Sequence, residues 1–173
     1  MELRLAGSGG QGVILATIIL AEAAVIAGKS TAQSQSYGPE ARGGSCKAEC
    51  IISDAEIGFT KITHHTFLMA LKQQSLDQYG KSLPEDCVVL IDEALTAPAE
   101  LAGYKVVSLP ILRTAKEVVG KAFTANIVAV GAINKLLQIV SPEEIREAVM
   151  LHIPKGTEEI NLKALDAGEA LVG

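Results

Sequence analysis

The strand-like segment Leu3–Ala6 runs directly into Gly7-Ser8-Gly9-Gly10-Gln11-Gly12 and then into the apolar stretch Val13–Ala27. Few folds accept that order. Glycine permits positive φ and lets the main chain approach a neighbour or ligand closely. A short strand, a GxGxxG turn and a helix in succession open a Rossmann-like unit. The helix is expected over Gln11–Ala27, apolar on nearly every face, with Gly28 just past its end.

A second glycine-rich segment follows closely: Ser36-Tyr37-Gly38-Pro39-Glu40-Ala41-Arg42-Gly43-Gly44. Pro39 fixes its own φ and pushes Gly38 out of the helical region. Gly43-Gly44 allows an unusual exit from the loop. Glu40 and Arg42 are thus carried on a shaped loop. Arg42 can donate in bidentate fashion to a phosphate or carboxylate; equally, it can pair with Glu40 or with a neighbouring subunit. Strands are expected on both sides, Ser30–Gln35 and Ser45–Ile52. In the latter, Cys46, Ala48, Cys50 and Ile52 share one face while Ser45, Lys47 and Glu49 share the other. The link is shorter than the dozen or so residues of a parallel crossover, so the two strands should run antiparallel.

Further along, Thr66–Tyr79 reads as a helix, Cys87–Ile91 as a buried parallel strand, and Tyr104–Leu109 as another strand stopped by Pro110. Arg113–Val119, Asn126–Val140 and Thr157–Leu171 read as helices. Ser141-Pro142-Glu143-Glu144 has the N-cap Ser, N1 Pro and N3 Glu of a helix start. The expected architecture is α/β: a Rossmann-like three-layer sandwich with a mixed, mostly parallel sheet, formed by residues 1–173 as a single domain.

With 49% hydrophobic and 20% charged residues in 173, the chain can build a substantial core. Its net charge of −5, with three Tyr, three Phe and no Trp, argues against nucleic-acid binding. The three cysteines, Cys46, Cys50 and Cys87, form no CxxC pair, which fits free thiols in a cytoplasmic protein and no iron–sulfur centre. Val13–Ala27 is too short for a membrane span and contains Thr17 and Glu22. It is expected to be buried within the protein or against a partner. His64-His65 lacks a ligand set at metal-binding spacing, and His152 sits where it would favour a helix dipole.

Gly7, Gly9 and Gly12 suit an anion at a helix N-terminus. Dinucleotide binding would also require an acid about 20 residues further on, and Gly28–Gln35 holds none. A phosphate-binding P-loop fails because Val13 stands where Lys is needed; Gly28-Lys29-Ser30 has the right ending but Ala23 in place of the leading Gly. A tight packing turn is the plain alternative. Asp92-Glu93, closing an apolar strand, occupies a position where α/β folds place ligands.

Taken together, GxGGQG, Gly28-Lys29, SYGPEARGG, the ending Ile51-Ile52-Ser53-Asp54, the strand Cys87–Asp92 and Thr124-Ala125-Asn126 followed by Gly131 resemble the gamma subunits of 2-oxoacid:ferredoxin oxidoreductases, above all those acting on 2-oxoglutarate. The resemblance implies a subunit that holds no cofactor alone. Its complex would use thiamine diphosphate, Mg, iron–sulfur clusters and coenzyme A. The partners would be alpha and beta subunits with a ferredoxin-like delta subunit or domain. Tyr37, Gly38, Pro39, Glu40, Arg42, Gly43 and Gly44 would form the likelier ligand element, with Arg42 reaching a coenzyme A phosphate or a neighbouring subunit. Gly7, Gly9, Gly10, Gln11 and Gly12 would shape the same face, and none of these residues would be catalytic. Phe59-Thr60-Lys61-Ile62 departs from the family, whose members often carry a Pro there. Pyruvate, branched-chain 2-oxoacids and indolepyruvate stay open as substrates, as do a free-standing nucleotide-binding protein and a scaffold without ligand. The isolated chain is able to self-associate through a face meant for partners.

Overall fold

Strand β1 (Glu2–Ser8) pairs antiparallel with β3 (Ser45–Ser53) on one side and parallel with β4 (Phe67–Ala70) on the other. That change of direction makes the sheet mixed. In the computed structural model, which describes residues 1–37 and 44–173, β2 (Ser30–Tyr37), β5 (Val88–Asp92) and β6 (Lys105–Leu109) complete it. Among the described residues the strand order is β2-β3-β1-β4-β5-β6, with β2 and β3 antiparallel and β4, β5 and β6 parallel. The mixed, mostly parallel sheet and the antiparallel β2–β3 pair agree with the expectation from sequence.

On one face lie α1 (Val13–Ile26), α4 (Ala125–Leu137), α5 (Pro142–His152) and α6 (Glu158–Ala170), packed on Leu3, Leu5, Cys50, Phe67 and Met69. On the other face, α2 (Gln73–Tyr79) and the turn Ala99–Leu101 cover Leu68, Ala70, Val89 and Ile91. The result is three layers.

Thr66–Tyr79 corrects the sequence reading. It is not one helix but the four-residue strand β4, a short connection, and then α2. Leu, Met and Ala are strong helix formers, and a central parallel strand buried on both faces reads as a continuous apolar run without alternation. Phe67 and Met69 join one core while Leu68 and Ala70 join the other. Two helices also differ in detail. Ile111–Arg113 (α3) continues as a π-helical stretch, Thr114–Val119, closed by Gly120 at φ 88°. α4 ends at Leu137 rather than Val140, because Asn134 turns back to bond Val140 through both its Nδ2 (3.2 Å) and Oδ1 (3.1 Å).

The helix signals hold. Beyond α1, Gly28 N–H donates to Val25 O and Lys29 N–H to Ala24 O, a Schellman closure with Gly28 at φ 77°. At α5, Ser141 Oγ accepts from Glu144 N–H while Glu144 Oε2 accepts from Ser141 N–H.

Opposite α1, Arg4 Nε and Lys47 Nζ both donate to Glu49 Oε1, at 2.8 and 3.0 Å, above the Tyr79 ring. Burial alone would raise the Glu49 carboxyl, but the hydrogen bonds from Lys47 and Arg4 outweigh it and hold the group below its ordinary value. A carboxyl lowered by folding stabilises the protein above its unfolded value, about 4.3, and loses that contribution as pH falls through the folded one. Urea midpoints of the wild type should therefore fall on the acid side of that value. Glu49→Gln should start lower at neutral pH and show a shallower acid limb. Parallel limbs for the two proteins would refute the assignment.

Candidate functional site

The first glycine motif is divided between strand, turn and helix. Gly7 lies inside β1, where a Cβ would come 2.5 Å from Gln11 Oε1 and 3.0 Å from Val13 Cγ2. The space it leaves is used: Gln11 Oε1 accepts from Ser8 N–H at 2.7 Å and Gln11 Nε2 donates to Leu71 O at 3.1 Å. Gln11 thus fastens the turn to the end of β4. Gly10 turns the chain at φ 93°. Gly12 caps α1 at φ 71°, and a Cβ there would come 2.6 Å from Asn126 Nδ2. Two independent reasons therefore require glycine at position 12, its backbone conformation and its contact with α4.

The second motif reaches the same place. β2 ends at Tyr37, opposite Cys46, and β3 begins at Ser45, opposite Ser8 of β1. Gly9 N–H donates to Gly44 O at 3.1 Å, joining the two loops main chain to main chain. Gly38, Pro39, Glu40, Arg42 and Gly43 lie outside the described residues.

Beside this junction runs a groove of about 380 Å³, walled by Ser8, Gly9, Gly10 and Gly12 on one side and by Val13, Ile14, Leu15, Ile18 and Cys46 on the other. Ile14, Leu15, Ile18, Cys46 and Asn126 are absent from the candidates read from sequence. A signal was available for the isoleucines and leucine, since a helix apolar on nearly every face keeps apolar side chains beyond those the sheet buries. α1 carries no acid in its first turn to oppose an anion at its N-terminus. A bare main-chain turn beside an apolar wall can receive the backbone or anionic end of a ligand, or the chain of a partner.

Burial disfavours the thiolate form of all three cysteines. Burial pushes Cys50 up to about 12 and Cys87 up to about 11, and it raises Cys46 as well. Among the described residues, no group of three or more His, Cys, Asp or Glu is placed to hold a metal ion. His64 Nε2 pairs with Asp86 at 2.7 Å, and His152 lies 3.5 Å from Glu22 of α1. Asp92, at the end of β5, uses both carboxylate oxygens on main-chain N–H groups, those of Ala94 and Leu112. Among the described residues, no helix is long and apolar enough to cross a membrane.

The sequence and the fold as a whole are shared with a defined set of proteins. Residues 2–171 match the family model described as pyruvate ferredoxin/flavodoxin oxidoreductase, and the chain belongs to that family. Within it, the chain is 44% identical over 170 residues to the 2-oxoglutarate synthase subunit KorC of Methanocaldococcus jannaschii, covering 96% of this chain and 91% of the relative. The crystal structure of a keto/oxoacid ferredoxin oxidoreductase gamma subunit from Geobacter sulfurreducens superposes with a TM-score of 0.88 at 43% identity, over 98% of this chain and 94% of that one. The fold also recurs, with a TM-score of 0.90 and 23% identity, within a longer chain of the 2-oxoglutarate:ferredoxin oxidoreductase from Magnetococcus marinus. There it covers 99% of this chain and 30% of that one.

Proposed function

We propose that this chain, read as one domain over residues 1–173, is the gamma subunit of a cytoplasmic 2-oxoglutarate:ferredoxin oxidoreductase. In that complex its two glycine loops complete the coenzyme A site. The observation that carries the reading is the Gly9–Gly44 hydrogen bond, which joins the end of the second segment to the first loop. Relatives named as 2-oxoglutarate synthase subunits, matched nearly end to end, support the choice of 2-oxoacid. The Magnetococcus marinus enzyme, solved with 2-oxoglutarate, coenzyme A and succinyl-CoA bound, supports the choice of ligand.

In this reading the thiamine diphosphate and Mg of the alpha and beta subunits supply the decarboxylation chemistry, and iron–sulfur clusters of a ferredoxin-like delta component take the electrons. The residues of this chain bind and orient. Arg42 gives a coenzyme A phosphate a charge-assisted, bidentate donor. Tyr37, Gly38, Pro39, Glu40, Gly43 and Gly44 shape the loop that presents it. Gly7, Gly9, Gly10, Gln11 and Gly12 shape the same face.

The test begins with gentle affinity purification of the tagged chain from its host and an assay of viologen reduction dependent on 2-oxoglutarate and coenzyme A. Larger partners and activity are expected, and a panel of 2-oxoacids then checks the substrate. Arg42→Ala should raise the KM for coenzyme A about 10- to 100-fold, the loss of a charged hydrogen bond, with the complex still assembled. An unchanged KM, or a complex that dissociates, would sink the ligand role. A chain recovered without partners would sink the subunit role.

A further inference from the structure

The two edges of the sheet are built differently. β6 is five residues long and begins with the charged Lys105. β2 is eight residues long, Ser-Thr-Ala-Gln-Ser-Gln-Ser-Tyr, with no charge, no Pro and no Gly. Its register against β3 runs one-to-one from Ser30↔Ser53 to Tyr37↔Cys46 without a bulge. Proteins usually guard an open edge with charge, proline, a bulge or brevity; β2 has none of these.

The register also fixes which main-chain groups of β2 are free. Met1 and Ile52 exchange both main-chain bonds, Met1 N to Ile52 O at 2.7 Å and Ile52 N to Met1 O at 2.9 Å. In an antiparallel pair such residues alternate, so the even-numbered residues of β3 face β1 and the odd-numbered ones face β2. Odd residues of β3 lie opposite even residues of β2. Thr31, Gln33 and Gln35 therefore turn their N–H and C=O groups outward.

We infer that β2 pairs antiparallel with β2 of a second copy of this chain, about a two-fold axis through Ser34, so that two sheets become one. This register sets Gln33 of each copy opposite Gln35 of the other, with both main-chain bonds exchanged at each pair. Both glutamines are exposed and share one side of the strand, where their amides can bond across the axis. A two-fold contact asks a surface to complement itself, and an uncharged strand with donors and acceptors at a two-residue period does so. Charge does not oppose a second copy at this place. The chain carries −5, so like chains repel generally, but β2 adds nothing to that field. Among the described residues, charges beside β2 are paired: Lys29 with Asp54 at 2.6 Å near its start, and Glu49 with Arg4 and Lys47 on the neighbouring strands.

Sedimentation velocity of the full chain over a concentration series tests this pairing. The wild type should move from one to two chains as concentration rises. Gln33→Lys with Gln35→Lys sets Lys opposite Lys and should weaken association at least about tenfold, with an unchanged thermal unfolding midpoint at concentrations where both proteins are monomeric. Gln33→Glu with Gln35→Lys sets Glu opposite Lys at both pairs and should restore the dimer. A wild type that stays monomeric would overturn the proposal and leave the edge to a strand of another subunit. A dimer indifferent to the Lys pair, or a Glu/Lys variant as weak as the Lys/Lys one, would overturn it equally.

Discussion

Gly168→Ala should destabilise the protein by about 3 kcal/mol, at the upper end of what overpacking usually costs. In an exposed helix interior the same change would stabilise by about 1 kcal/mol, because alanine is the better helix former. Here the sign reverses. An added Cβ at Gly168 of α6 would fall inside the contact shell of Val128 O of α4, and one at Gly131 of α4 would do the same to Leu165 O of α6. The two glycines are reciprocal, each making room for the main chain of the other helix. A helical carbonyl cannot swing aside as a flexible side chain can, so relief requires the helices to move apart. Val128, Ile133, Ala164 and Leu165 would then lose contact in the core. Denaturant midpoints should drop sharply for Gly168→Ala and for Gly131→Ala. Gly103→Ala, with open space around it, should change stability by no more than about 0.5 kcal/mol. If either helical variant fails to accumulate, Gly103→Ala still shows that glycine loss alone is harmless. A neutral Gly168→Ala would refute the close crossing.

That crossing shows where sequence reading stops. Gly131 stands out only through family resemblance, and nothing local marks Gly168. Their need for glycine arises from a helix far along the chain. Gly12 is similar: its place in a strand–turn–helix motif is legible, whereas its contact with Asn126 belongs to tertiary structure. What depends on near neighbours was readable. The Schellman closure at Gly28, the capping box at Ser141, the alternation in β3 and the antiparallel β2–β3 pair all follow from residues within a turn or a strand length. β4 was misread because its apolar run carries no period that separates a doubly buried strand from a helix. The groove was half readable. Its glycine rim is in the motif, but its wall of Ile14, Leu15 and Ile18 becomes visible only once the sheet has taken the rest of α1.

Asp92→Ala should cost about 3 kcal/mol of stability while leaving the KM for coenzyme A of the assembled complex unchanged. The residue sits at the carboxyl end of β5, where ligands of α/β folds commonly bind, and by position alone it invites a functional role. Its contacts point elsewhere. Asp92 is 1% exposed, with Oδ1 accepting from Ala94 N–H at 3.0 Å and Oδ2 accepting from Leu112 N–H at 2.8 Å. The carboxylate ties the end of β5 to the start of α3, and both oxygens are spent on main chain. Removing it gives up two hydrogen bonds to a charged group, each worth about 1.5–3 kcal/mol, from the N–H groups of exposed Ala94 and half-buried Leu112. Asp92→Asn should be milder, about 2 kcal/mol, because one amide oxygen still accepts while the amide nitrogen confronts the other N–H. The ordering wild type, Asn, Ala in urea midpoint is thus the signature of a two-acceptor tie. A ligand contact would instead raise the KM in both variants at undiminished stability, and that result would return Asp92 to the site.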